Sequence, residues 1–137
     1  MIVKVLTFQD VFSHWETLKI LYGYLSQRKL RKSDIYHSLE ECIILGILDD
    51  YDKLIGITSL YVNHGPWGPF SRIENVAILE EYRGMGLGRE LVQEALMRAD
   101  NAGCYRCDLS CSEKNRPFYE KCGLEKVAVT MKKYFND

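Results

Sequence analysis

Three glycines alternate in Arg83-Gly84-Met85-Gly86-Leu87-Gly88. Glycine lets the backbone adopt positive φ and approach a ligand closely. The run lies where a strand-like stretch, Arg72 to Leu79, gives way to a helical pattern from Leu87 to Ala102. The first amides of a helix have no intrahelical acceptor, and the helix dipole adds partial positive charge there. A pyrophosphate answers both demands. Arg83 and Arg89 add positive charge beside the turn. The plainer reading is a tight strand-to-helix turn without a ligand. A doubly wound dinucleotide site is excluded. It wants Gly-x-Gly-x-x-Gly and an acid about twenty residues on, at the end of the next strand. Here the spacing is Gly-x-Gly-x-Gly, and Asp108 falls inside the following strand.

The other reactive side chains are cysteines. There are five: Cys42, Cys104, Cys107, Cys111 and Cys122. An odd number without a secretory leader argues against a disulfide framework. Cys104-x-x-Cys107 has knuckle spacing, but a structural zinc site needs a second pair, so no metal is expected. Cys107, Leu109 and Cys111 alternate and should line one face of a strand as free thiols. The formal charge of −1 offers no basic field for nucleic acid or an anionic membrane. No apolar run approaches the roughly 20 residues that span a bilayer, and the start of the chain has no signal-peptide core. A cytoplasmic protein is expected.

The elements that must position these groups follow from periodicity. Residues 2–8 alternate as a strand, and Asp10 caps a helix running to about Leu25. Ser33 or Asp34 starts a second helix that ends near Glu41. Cys42 to Leu48 and Leu54 to Val62 form an antiparallel hairpin around Asp49-Asp50-Tyr51-Asp52-Lys53. Residues 63–70 form a shaped loop. Strand 72–79, helix 87–102 and strand 105–111 make a right-handed parallel crossover. Pro117 opens a short helix at 116–122, and 124–135 supplies a last strand. The 137 residues suit one α/β domain with a mixed central sheet, in the order β-α-α-β-β-β-α-β-α-β. Ligands of such open sheets bind at the carboxyl ends of the strands.

Ile73-Glu74-Asn75-Val76-Ala77-Ile78 followed by Tyr82-Arg83-Gly84-Met85-Gly86-Leu87-Gly88 resembles the acetyl-CoA signature of the GNAT superfamily of N-acetyltransferases. That signature is Arg or Gln, two residues, Gly, one residue, Gly or Ala; Arg83, Gly86 and Gly88 fill it. The resemblance continues through Gly103-Cys104-Tyr105-Arg106 and from Asn115 to Gly123. With the element order it covers nearly the whole chain. It implies a single acetyltransferase domain over residues 1–137, with acetyl-CoA as co-substrate. Backbone groups of Val76, Ala77 and Ile78 would then meet the pantetheine arm. The amides of Gly84, Met85, Gly86, Leu87, Gly88 and Arg89 would hold the pyrophosphate. Asn115 would touch the coenzyme near the site, and Tyr119 would sit by the thioester sulfur. The resemblance also implies a homodimer that exchanges the last strand, where Val127, Val129 and Met131 alternate.

Acetyl transfer to an amine needs a neutral amine, a polarised carbonyl and a proton for the departing thiolate. The Tyr119 phenol, with an ordinary pKa of about 10, suits the last task. Beside Phe118 on a short helix it also reads as a core aromatic. Glu74 either pairs with Arg72 or faces the cleft, where it would bind an ammonium or take its proton through water. On an unbroken strand Glu74, Val76 and Ile78 share a face. Ser110 would act through its backbone carbonyl on the incoming amine.

Glu16-Thr17-Leu18-Lys19, Ile73-Glu74, Gly103-Cys104-Tyr105 and Glu113-Lys114-Asn115 with Phe118 to Gly123 make the chain most similar, within the superfamily, to eukaryotic-type glucosamine-6-phosphate N-acetyltransferases. Asn75 and Ser110 stand where that group carries aspartates, and Tyr134 stands where it carries a phosphate-binding arginine, next to Lys132 and Lys133. The coenzyme half matches better than the sugar half. An amino-sugar phosphate leads as acceptor. Another small amine or a polyamine follows, and a coenzyme-A-binding regulator without turnover is the alternative class.

Overall fold

The computed structural model describes residues 1–135. The elements run β1 (Ile2–Val5), α1 (Phe8–Ser13), α2 (Trp15–Gly23), α3 (Lys32–Glu41), β2 (Ile43–Leu48), β3 (Leu54–Gly65), β4 (Gly68–Ile78), a 3₁₀ turn (Glu80–Tyr82), α4 (Leu87–Asn101), β5 (Cys107–Asp108) and α5 (Arg116–Lys121). One sheet follows chain order, β1-β2-β3-β4-β5. The first three pairings are antiparallel, and β4–β5 is the expected parallel crossover pair. Each face of the sheet buries its own apolar cluster. One packs under α1–α3 around Val11, Leu18, Leu21, Ile44 and Ile57. The other packs under α4 around Leu45, Ile55, Leu60, Leu91 and Val92.

Several boundaries differ from the sequence-based expectation, each for a local reason. The first helix starts at Thr7, not Asp10. Thr7 Oγ1 accepts from the Asp10 N–H, and the Asp10 carboxylate accepts from the Thr7 N–H, a reciprocal capping box. That helix then breaks at His14 (φ −112°, ψ 22°), so the expected single helix is two. Residues 63–70 are the tip of a long hairpin. Gly65 pairs with Gly68 across Pro66-Trp67, and Gly68 takes a φ of 102° that lets the return strand begin.

Two corrections bear on the site. The strand expected over 105–111 is paired only at Cys107 and Asp108, opposite Ser71 and Arg72. Cys107 and Leu109 pack against the α4-side cluster, whereas Cys111 is exposed, so the expected row of three does not form. The last strand is also missing: residues 124–135 carry no regular structure, and Val127, Val129 and Met131 are exposed. Alternation marks which residues are apolar; a strand also needs an edge to pair with. The α/β class and the mixed sheet stand as expected, with the element order ending on α5.

Candidate active site

β4 carries one residue more than β3 opposite it. Ile57 pairs with Ala77, but Ser59 pairs with Glu74, so Asn75-Val76 bulges. Asn75 accommodates this with a φ of 59°, in the left-handed region that asparagine tolerates better than most residues. Thr58 Oγ1 donates to the Glu74 carbonyl at 3.2 Å and pins the bulge. The bulge resets the alternation of the strand. Ile73, Val76 and Ile78 pack on the α4 side, and Ala77 and Leu79 on the α1–α3 side. Glu74 therefore does not share a face with Val76 and Ile78, contrary to the unbroken-strand expectation. It lies opposite Ser59, on the α1–α3 side.

β4 and β5 separate just before the bulge. Their pairing stops at Arg72–Asp108, so from Glu74 to Ile78 the β5-facing backbone edge of β4 has no strand partner among the described residues. The glycine turn opens immediately after that edge. Gly84 and Gly86 have φ of 82° and 79°, and a Cβ built on either meets nothing within 4 Å. Gly86 is the N-cap of α4 and supplies no side-chain cap. From Gly84 through Arg89, the backbone N–H groups make no hydrogen bond among the described residues. The turn is a cradle of free donors with room above it, at the positive end of a helix. Its glycines differ in purpose. A Cβ on Gly88 would meet Phe118 Cζ at 3.2 Å and Ile78 Cγ1 at 3.7 Å, so Gly88 allows α5 and β4 to pack closely against α4.

Arg83 is held away from the free amides. Its Nε donates to the Ile78 carbonyl at 3.1 Å, and its guanidinium lies over the Tyr24 ring at 4.6 Å. Tyr24 Oη also accepts from the Glu80 N–H at 3.2 Å, so the end of α2 braces the turn. Sequence reasoning passed over Tyr24, because nothing in a helical pattern marks which aromatic reaches a distant loop. Asn75 carried a readable signal, since asparagine is depleted in strands and enriched at positive φ.

Tyr119 is half-buried on α5 against the α4-side cluster, with Phe118 edge-on at 4.9 Å. Burial raises its hydroxyl above the ordinary tyrosine value, and the nearby Cys111 and Cys122 add to the effect. The hydroxyl makes no hydrogen bond among the described residues, so it is a donor without a partner. Asn115 is the exposed N-cap of α5, and its carbonyl accepts from the Phe118 and Tyr119 N–H groups.

On the other face, Arg72 Nε donates to Glu74 Oε1 in an ion pair, as one of the two sequence readings expected. Arg72 Nη2 donates to Ser110 Oγ at 2.7 Å, and Ser110 Oγ bonds Thr130 Oγ1 at 2.8 Å. Ser110 is thus tied to the site by its side chain, and residues 124–135 are tied there through Thr130. Tyr61 and Tyr22 lie on this face, both pushed up to about 12, by burial above all, so both stay neutral. No three His, Cys, Asp or Glu side chains converge as a metal site among the described residues. No described helix is long and apolar enough to cross a membrane.

Residues 9–124 match the model of the Acetyltransferase (GNAT) family. A glucosamine 6-phosphate N-acetyltransferase of Arabidopsis thaliana is 38% identical over 69 residues, covering 50% of this chain and 46% of that protein. Glucosamine 6-phosphate N-acetyltransferase 1 of Dictyostelium discoideum is 33% identical over 107 residues, covering 76% of this chain and 65% of that protein. The chain thus spans about half to two thirds of these relatives. Among solved structures, a Trypanosoma brucei acetyltransferase superposes with a TM-score of 0.83 at 26% identity, covering 98% of this chain and 99% of that one. The Arabidopsis thaliana glucosamine-6-phosphate N-acetyltransferase shares the fold with a TM-score of 0.85 at 24% identity, with 98% of each chain covered.

Proposed function

The chain belongs to the acetyltransferase (GNAT) family, and on that premise we propose that it transfers the acetyl group of acetyl-CoA to the primary amine of a small acceptor, with glucosamine 6-phosphate as the leading candidate. One observation carries the reading: the run of free amides from Gly84 to Arg89 opens beside the unpaired edge of β4. A pyrophosphate fits the first and an extended amide-bearing arm fits the second. Residues 1–137 would act as one domain.

Bound acetyl-CoA supplies the activated thioester. The amides of residues 84–89 hold its pyrophosphate, the backbone of Val76, Ala77 and Ile78 aligns its arm, and Asn115 contacts it near the site. Tyr119 donates a proton to the departing sulfur, a role for which a tyrosine that keeps its proton is suited. Glu74 has Oε2 uncommitted and binds the ammonium or takes its proton through water. The Ser110 carbonyl accepts a hydrogen bond from the amine.

The names of the relatives support the sugar phosphate. Neutral Asn75 and Ser110, where aspartates are expected, favour a second reading, another small amine or a polyamine. Lys132 and Lys133 follow Thr130 and offer positive charge to a phosphate. All five cysteines are unpaired, which suits the cytoplasm. A homodimer is proposed from the exposed apolar alternation near the C-terminus. The decisive experiment measures thiol release from acetyl-CoA with glucosamine 6-phosphate, glucosamine, spermidine and other amines. Release with the sugar phosphate is expected. Release with spermidine alone would move the acceptor, and coenzyme binding without release from any amine would leave a non-catalytic binder.

A further inference from the structure

We infer that Arg72 is the specificity residue of the acceptor site and that, with Glu74, it selects an acceptor carrying an anionic group together with its amine. This rests on the acetyltransferase reading of the site. Arg72 and Glu74 are two residues apart on the same face of β4, just before the bulge, opposite Tyr61 and Ser59. Both side chains are partly open, at 37% and 40% exposure. Their pairing is incomplete. Arg72 commits Nε to Glu74 and one Nη2 hydrogen to Ser110, which leaves Nη1 with no partner among the described residues. Glu74 commits Oε1 and leaves Oε2 free. The pair therefore presents a free cationic fork and a free carboxylate oxygen side by side.

The surroundings leave the choice of acceptor to this pair. Register places Asp108 beside Arg72, but its carboxylate accepts from Arg106 Nε at 2.9 Å. The Arg106 guanidinium in turn lies over Phe70 and Tyr105. The other groups packed together on this face, Ser59, Tyr61, Tyr22 and Cys42, are neutral, the last three held so by burial. Lys132 and Lys133 are exposed on a segment without regular structure, whereas Arg72 is fixed at two atoms. A simple polyamine would bring further cations against Arg72 and find only Glu74 Oε2 open to them. An acceptor with an ammonium and a phosphate or carboxylate satisfies both free ends, and arginine holds such anions through its fork.

The test compares glucosamine and glucosamine 6-phosphate, identical but for the phosphate, in binding to the coenzyme-loaded protein and in turnover. A half-exposed ion pair adds little to stability, so Arg72→Gln should fold; thermal unfolding and an unchanged KM for acetyl-CoA check this. Wild type should prefer the phosphorylated sugar. Arg72→Gln should weaken it by about tenfold or more, as for loss of a charge-assisted contact, and should weaken glucosamine by a clearly smaller factor, since Glu74 loses only its pairing partner. Arg72→Lys should recover part of the preference. Equal loss for both sugars would reduce Arg72 to a structural role and overturn the inference. Wild type without preference for the phosphorylated sugar, including one that binds neither, would also overturn it. Thiol release with some other amine would still leave the acetyltransferase reading standing.

Discussion

Tyr119 and Asn75 show how single residues carry the site. Tyr119 is raised by burial and by its cysteine neighbours, so it holds its proton through neutral pH. A general acid works only while protonated. Its alkaline limb in kcat should therefore lie above the ordinary tyrosine range of about 10. Tyr119→Phe should lower kcat by about 10²-fold, remove that limb and leave acetyl-CoA affinity nearly unchanged. A normal kcat, with chemistry shown to limit turnover, would make Tyr119 a core aromatic. Asn75 matters through its backbone. At a φ of 59° Asn75→Gly should be close to neutral, whereas Asn75→Val should cost about 1–2 kcal/mol in urea unfolding. Equal stability of the two variants would show that the bulge is not set at this residue.

At the scale of elements, the glycine turn is braced by the end of α2. Tyr24 at the end of α2 meets both the Arg83 guanidinium and the Glu80 N–H. Tyr24→Leu should raise the KM for acetyl-CoA by about two- to fivefold, the scale of an exposed cation–π contact, with the acceptor KM unmoved. Gly86→Glu should abolish acetyl-CoA binding in a folded protein, because the side chain and its charge would enter the open space above the turn. Retained affinity would remove the pyrophosphate from this turn. These elements differ in how far the residues announce them. The glycine triplet, the apolar strand before it and the helix after it are local patterns, and as structure they were legible in the residues. The bulge was not, because it exists only in the register of β4 against β3. Thr7-x-x-Asp10 was a readable capping box that the stronger periodicity after Asp10 obscured. The split at His14 has no breaker residue to announce it. The short β5 was equally hidden, because the apolar alternation of Cys107, Leu109 and Cys111 does not say where pairing to β4 stops.

At the scale of the molecule, the C-terminal segment is the part a lone chain satisfies least. Val127, Val129 and Met131 are exposed by 78%, 83% and 91%. They alternate, so as a strand they would present one apolar face, yet residues 124–135 form no strand. These exposed apolar residues are what the proposed second copy would cover. The segment is not wholly loose, since Thr130 bonds Ser110, at the proposed acceptor site. Covering the apolar residues with a second copy would therefore also fix the chain that carries Lys132 and Lys133. We expect light scattering at micromolar concentration to give twice the chain mass of 15.9 kDa. Replacing Val127, Val129 and Met131 together with serine should shift the mass toward the monomer. The same variant should raise the acceptor KM more than the acetyl-CoA KM, because Thr130 of this segment bonds Ser110, whereas the glycine turn is braced by Tyr24. A monomeric wild type with full activity would show that the chain completes its acceptor site alone.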